Sequence, residues 1–337
     1  MKIAVFGASL SHQANSFTTG EPLGYAEFLR REHQKELGVS EITQLSYSGN
    51  RLGDGGLARI FDVVDYQPDI CIMEMIVEDE SRGLAASRQD YLFVIDQLIA
   101  NAILPVLFIP PWPSHNAITR AATLLPELGA KHGIPVIQFS LPAGTDTKAY
   151  FNGVHTNAPG GKWYADEIAA KLAGLGDIAA VRETIAKSWA SEDRGDRHVA
   201  RCQSSREPFV TVSVEVETSA QTSVRMLQRQ TIGVHSPIFH ARVTRPSGEV
   251  VSEEVRSAWD PYCHYPRPSF VLLASAELPA GTSTIIIEKV AAAPDYSTCR
   301  RENVPWPPVE ALSFQPLGDI FLVTEATASA KILKQAK

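Results

Sequence analysis

The chain has no apolar run approaching the roughly 18 residues that a membrane-spanning helix needs, so an integral helical membrane protein is excluded. Cysteine is sparse. Four residues, Cys71, Cys202, Cys263 and Cys299, are scattered without a C-x-x-C pair, which argues against a structural zinc site and against a disulfide scaffold. Positive charge is in deficit: 31 Lys and Arg face 38 Asp and Glu, for a formal charge of -7. Without a basic stripe, such a chain has no general attraction for phosphate backbones, and a nucleic-acid partner is not expected. The opening Met1-Lys2-Ile3-Ala4-Val5-Phe6-Gly7 lacks the longer apolar segment and small-residue cleavage site of a secretory signal. A cytoplasmic protein with reduced thiols is the expectation.

What is present is ordinary globular material, 44% hydrophobic and 20% charged, in a chain of 337 residues that suggests two domains. Residues 1–175 alternate short apolar runs with amphipathic stretches. The runs Lys2–Phe6, Glu41–Leu45, Asp69–Met75, Pro105–Ile109 and Pro135–Phe139 suit strands buried on both faces of a parallel sheet. Helical patterns separate them near Leu23–Leu37, Gly56–Tyr66, Ser87–Ala102, Ala117–His132 and Gly160–Leu172. In the third, Tyr91, Ile95, Leu98 and Ile99 share one helical face. The fold class read from this is α/β, a doubly wound five-stranded parallel sheet, followed by an all-β sandwich.

Residues 176–206 read as a helix, Asp177–Trp189, and a polar linker. From 207 to 330 the period becomes two, as in Val210, Val212, Val214 and Val216 alternating with polar neighbours. Further strands are expected at Phe239–Thr244, Glu249–Val255, Phe270–Ser275, Thr284–Val290 and Asp319–Thr324, parted by Pro-Gly turns. Trp259, Tyr262, His264 and Tyr265 form an aromatic cluster there, open to a sugar-binding or a core-packing reading.

In an open parallel sheet, ligands bind beyond the carboxyl ends of the strands. Ser9 follows the first strand and His155 lies on the last loop, a potential nucleophile and base at one sheet edge. A Rossmann reading of the first turn fails, because Ala8, Ser9, Leu10, Ser11 and His12 follow Gly7 where G-x-G-x-x-G needs more glycines.

Gly7-Ala8-Ser9-Leu10-Ser11 is similar to the first block, Gly-Asp-Ser-Leu-Ser, of the SGNH or GDSL-type hydrolases, with Ala8 in the aspartate slot. Tyr47-Ser48-Gly49-Asn50 resembles the second block, and Asn152-Gly153-Val154-His155-Thr156-Asn157 the last, Asp-x-x-His-Pro-Asn. The resemblance covers about residues 1–175. It implies Ser9 as nucleophile, His155 as base, and backbone N–H groups of Ser9 and Gly49 in an oxyanion hole. It departs from the family at two places. Glu78 stands where the third block has the oxyanion-donating asparagine, with Asp79 after it; Asn50 is a substitute donor on the neighbouring loop. Asn152 stands where the family has the aspartate that orients the base. His155 is then oriented by another carboxylate (Asp146 or Glu78), or works in a Ser–His dyad, or the site has lost hydrolysis. Glu78, Trp112 and His115 are candidate substrate contacts, and His115 a reserve base.

The implied activity is a serine esterase that removes an O-acyl group, expected to be acetyl, from a small or carbohydrate substrate. Its chemistry needs no metal and no organic cofactor. Two other classes stay open: a non-catalytic glycan-binding protein, and an O-acyltransferase using the same serine. Oligomeric state is not legible.

Overall fold

The five apolar runs form one parallel sheet: β1 (Lys2–Gly7), β2 (Glu41–Gln44), β3 (Ile70–Glu74), β4 (Leu104–Ile109) and β5 (Val136–Gln138). Their order is β2-β1-β3-β4-β5, with every neighbouring pair parallel. The structure, a computed structural model, describes residues 1–13, 22–47, 51–76, 84–111, 119–141, 144, 146–153, 155–189, 196–204, 210–232, 236–258, 267–290 and 316–336. β3 and β4 are buried along their whole length, as strands covered by helices on both faces must be. Burying each Ile, Val or Leu side chain there stabilises the unit by roughly 1.5–3 kcal/mol.

The covering helices are α1 (Ser9–His12), α2 (Tyr25–Phe28), α3 (Leu57–Tyr66), α4 (Leu84–Ala100), α5 (Thr119–His132), α6 (Ala158–Ala173) and α7 (Ile178–Ser188). The single helix expected over Leu23–Leu37 is instead the short α2, continued by a π-helical turn at Leu29–His33. α3 stops at Gln67, whose φ of 52° lets its N–H bond back to Val63. α7 starts on Asp177, whose carboxylate accepts the N–H groups of Ala179 and Ala180.

The chain divides into two units, Met1–Gly195 and Asp196–Lys337. The division falls inside the 176–206 stretch: α7 belongs to the first unit, and the strand β8 (His198–Cys202) to the second. The second unit contains two antiparallel sheets. Its further strands are β9 (Thr211–Thr218), β10 (Thr222–Ile232), β11 (Ile238–Thr244), β12 (Val250–Ser257), β13 (Arg267–Leu278), β14 (Gly281–Val290), β15 (Pro316–Thr324) and β16 (Ala328–Ala336). They are arranged as β13-β10-β15-β8 and β12-β11-β14-β9-β16. Val212, Val214 and Val216 of β9 share a core with Met226, Phe239, Leu273, Ile285, Ile287, Ile320 and Leu322, which makes the pair of sheets a sandwich.

Three of these strands, β8, β10 and β16, are not predicted by the alternation. In β10 the reason is visible. Gln228 and Gln230 continue the inward phase of Val224 and Met226, and both are buried. The Gln228 amide donates to the Gly318 carbonyl at 3.1 Å, and that of Gln230 to Gln228 Oε1 at 3.2 Å. Hydrogen-bonded amides thus hold core positions where an apolar pattern would have announced a strand. Exposed Glu253 on β12, and Lys331 and Lys334 on β16, place charge on the two edge strands of the five-stranded sheet, which discourages pairing with another chain.

Candidate active site

In the order β2-β1-β3-β4-β5, the chain moves to opposite sides of β1 on its way to β2 and β3, so the carboxyl ends of β1 and β3 flank the topological switch point. Gly7 ends β1 there. A Cβ on Gly7 would lie 2.1 Å from Ser11 Oγ and 2.8 Å from the Glu74 carbonyl, so only glycine lets α1 approach β3 this closely. The Ala8 N–H donates to the Glu74 carbonyl at 3.1 Å, and Ser9 then opens α1 with 8% of its surface exposed. A helix of four residues has no stability of its own. Its rigidity comes from the buried hydroxyl of Ser11, which donates to Glu74 Oε2 at 2.8 Å and lies 2.5 Å from the Tyr25 hydroxyl. Since the Ser11 proton goes to the carboxylate, Tyr25 donates to Ser11. Burial first, and then the Glu74 charge, push the Tyr25 phenol well above its ordinary range, which keeps it protonated. Gln44 Nε2 donates to the Ser11 carbonyl from the other side.

The histidine sits on a small hairpin. β6 (Phe151–Asn152) pairs with β7 (His155–Thr156), with Asn152 directly opposite His155 and Gly153 at φ +64° in the turn. Thr156 fastens this hairpin to the serine helix. Gln13, the residue that caps α1, donates from Nε2 to the Thr156 carbonyl at 2.5 Å, and α1 packs beside β7. The Thr156 hydroxyl donates to the Leu23 carbonyl at 2.8 Å. Asn157 holds the far side: its Oδ1 accepts the Gly160 N–H at 3.1 Å as the cap of α6, and its Nδ2 donates to Ala149 at 2.8 Å. A Cβ on Gly161 would meet the Leu23 carbonyl at 2.0 Å and one on Gly160 the Tyr150 carbonyl at 2.1 Å, so the two glycines let α6 close on Leu23, just before α2, and on Tyr150, just before the hairpin.

His155 is half-buried, and burial lowers its pKa below the ordinary histidine value, so the ring is neutral at pH 7 and able to accept a proton. Among the described residues, no hydrogen bond reaches either ring nitrogen of His155 or the exposed side chain of Asn152. Asp146, one of the proposed orienting carboxylates, caps the turn at Thr147–Ala149 by accepting the Lys148 N–H at 3.0 Å. The lowered pKa has a stability consequence. Between the folded pKa and about 6.5, the unfolded chain binds a proton that the folded site refuses. Stability is therefore complete above pH 6.5 or so and declines as pH falls through that window. Thermal unfolding of wild type and His155→Gln at pH 7 and pH 5 checks this: the wild type should lose more on acidification, and equal losses would contradict it.

Gly49, Asn50, Glu78, Asp79, Trp112 and His115 lie outside the described residues, as do Trp259, Tyr262, Cys263, His264 and Tyr265. Pro111, the residue before Trp112, accepts the Tyr164 hydroxyl of α6 at its carbonyl. Sequence reading missed Glu74, Ser11, Tyr25, Gln13 and Thr156 as the parts that shape the site. One signal was available, a glutamate at the last position of the otherwise apolar β3. Glu32, His33 and Asp166 bring possible metal-ligand atoms within 4.8 Å of one another. Lys162 already pairs with both Glu32 and Asp166, so a protein cation compensates those carboxylates, and His33 Nε2 lies 2.8 Å from Asp166 Oδ1. The Cys71 thiol is buried in β3 and its pKa is pushed up by that burial, which makes it an inert core group.

Residues 5–163 match the GDSL-like Lipase/Acylhydrolase family, a span that contains Ser9, Asn152 and His155. No curated protein matches the chain in sequence. Among solved structures, the chain is similar to a two-domain esterase (CEX) active on acetylated mannans, with 14% identity and a TM-score of 0.57 over 95% of this chain and 90% of that one. The same esterase co-crystallized with mannopentaose gives a TM-score of 0.60 at 14% identity and the same coverage. A lipase/acylhydrolase from Enterococcus faecalis is 21% identical over 51% of this chain and 95% of its own, with a TM-score of 0.43. The first two likenesses establish the fold. Among the described residues, no helix is long and apolar enough to cross a membrane.

Proposed function

Given that residues 5–163 match the GDSL-like lipase/acylhydrolase family, we propose that this part of the chain is a serine esterase that removes O-acetyl groups from carbohydrate. Ser9 Oγ attacks the ester carbonyl while a ring nitrogen of His155 takes its proton. The oxyanion is received by the backbone N–H groups of Ser9 and Gly49, with the Asn50 amide as third donor. Collapse of the tetrahedral intermediate breaks the ester C–O bond, and the sugar oxygen leaves with the proton from His155. Water, deprotonated by His155, then attacks the acyl-Ser9 carbonyl and releases acetic acid, and the serine recovers its proton.

The observation that carries this reading is the Gln13–Thr156 hydrogen bond. It ties the helix that begins with Ser9 to the strand that begins with His155, although 146 residues separate the two side chains in sequence (155 − 9). The choice of carbohydrate is supported by the whole-chain fold likeness to an esterase active on acetylated mannans. Treatment with a fluorophosphonate, followed by peptide mass mapping, tests the chemistry. Wild type should take one label on Ser9, and Ser9→Ala none. A wild type that takes no label and cleaves no acetyl ester refutes the proposal.

That no hydrogen bond reaches the His155 ring among the described residues favours one other reading, a glycan-binding protein without turnover. Calorimetric binding of manno-oligosaccharides by an unlabelled, inactive wild type would assign it. Acyl transfer to an added acceptor sugar, seen in the products, would make the same serine that of a transferase.

A further inference from the structure

Arg59, on α3, has no exposed surface. Arginine is almost never fully buried unless its charge is paired and its donors are used, because desolvating a guanidinium is costly. Here Nη2 donates to the Gly7 carbonyl at 2.7 Å. The guanidinium carbon lies 4.9 Å from the Phe6 ring centroid and 4.8 Å from that of Tyr47, so the cation sits against an aromatic ring from β1 and another from the loop after β2. Nε and Nη1 have no hydrogen-bond acceptor among the described residues. Burial lowers the Arg59 pKa to about 10, with Asp62 and Glu74 among the groups that oppose the shift, so the group stays charged at neutral pH.

The Gly7 carbonyl is a junction, for it also accepts the Tyr47 N–H at 3.3 Å. Gly7 lies two residues before Ser9, and Tyr47 two residues before Gly49. Arg59 therefore grips both chains just ahead of the two N–H groups assigned to the oxyanion hole.

We propose that Arg59 is a positioning residue for the oxyanion hole, fixing Gly7, which leads into Ser9, against Tyr47, which leads into Gly49. The inference rests on the hydrolase reading above. It explains why a charge is kept in a place that an apolar side chain would fill at lower desolvation cost. It also explains why that charge is arginine: a planar guanidinium can hydrogen-bond Gly7 and stack on two rings together, which an ammonium cannot.

The test compares wild type, Arg59→Met, Arg59→Lys and Tyr47→Leu. Steady-state kinetics on a small acetyl ester, the rate of Ser9 phosphonylation and thermal unfolding are measured for each. A misplaced oxyanion donor affects the transition state alone, so kcat and the labelling rate should fall by about 10²-fold in Arg59→Met while KM changes little. Arg59→Lys, still able to donate to Gly7, should recover part of the rate, and Tyr47→Leu should repeat the loss with Arg59 in place. A folded Arg59→Met labelled as fast as wild type overturns the proposal, as does a loss confined to KM. If Arg59→Met does not fold, a wild-type rate in Tyr47→Leu overturns it instead. Labelled wild type with unaffected variants refutes this inference alone. Unlabelled wild type refutes the hydrolase reading and removes this inference with it.

Discussion

Ser9→Ala and His155→Ala should each cut turnover on a small acetyl ester by about 10⁴-fold or more, and the double variant should be little worse than either single one. The reason is that the two side chains act as a unit: a serine without its base is a weak nucleophile, and a base without its serine has nothing to activate. Residual catalysis would come from substrate binding and the oxyanion donors, which both variants retain. The architecture favours clean substitutions. Glu74 pins Ser11 and Ala8, and Gln13 pins Thr156, so neither support runs through the side chains removed. Initial rates of the three variants against wild type provide the check. Losses that multiply in the double variant would mean that Ser9 and His155 act separately, and a loss below about tenfold for either would remove it from the chemistry.

Asn152→Asp should raise kcat. In the β6–β7 hairpin Asn152 is paired directly with His155, which places the two side chains on the same face with Cβ atoms about 5 Å apart. A carboxylate there would fix the ring tautomer and stabilise the imidazolium formed during attack, both of which a neutral amide does poorly. In the serine-protease triad the reverse change costs about 10⁴-fold, so a gain of about tenfold or more is expected here. The new charge should also raise the His155 pKa, against the lowering by burial, and move the acidic limb of the pH–rate profile upward. Rates from pH 4 to 8 for wild type and Asn152→Asp decide the matter. An unchanged kcat and an unmoved limb would show that residue 152 does not orient the base.

The legible parts of the molecule were those written in local pattern. The five apolar runs of the first unit became β1 to β5, and the valine alternation after residue 210 became β9. The less legible parts were those where the tertiary environment reverses local preference. β10 carries glutamines in its inward phase because the Gly318 carbonyl on β15 takes the Gln228 amide, and Gln228 Oε1 in turn takes that of Gln230. The segment at Leu23–Leu37 breaks its helix into α2 and a π-helical turn.

By itself, the sequence determined the class of each unit and the candidate pair Ser9 and His155, since strand period, turn residues and short motifs are contained within a few neighbouring positions. Tertiary structure alone decided what those residues meet. The crossover to β3 brings Glu74 beneath Ser11, although 63 positions separate them, and α3 delivers Arg59 to Gly7 across 52. Buried charges of this kind are stable only where distant segments supply their hydrogen bonds and rings, and no local pattern records that meeting.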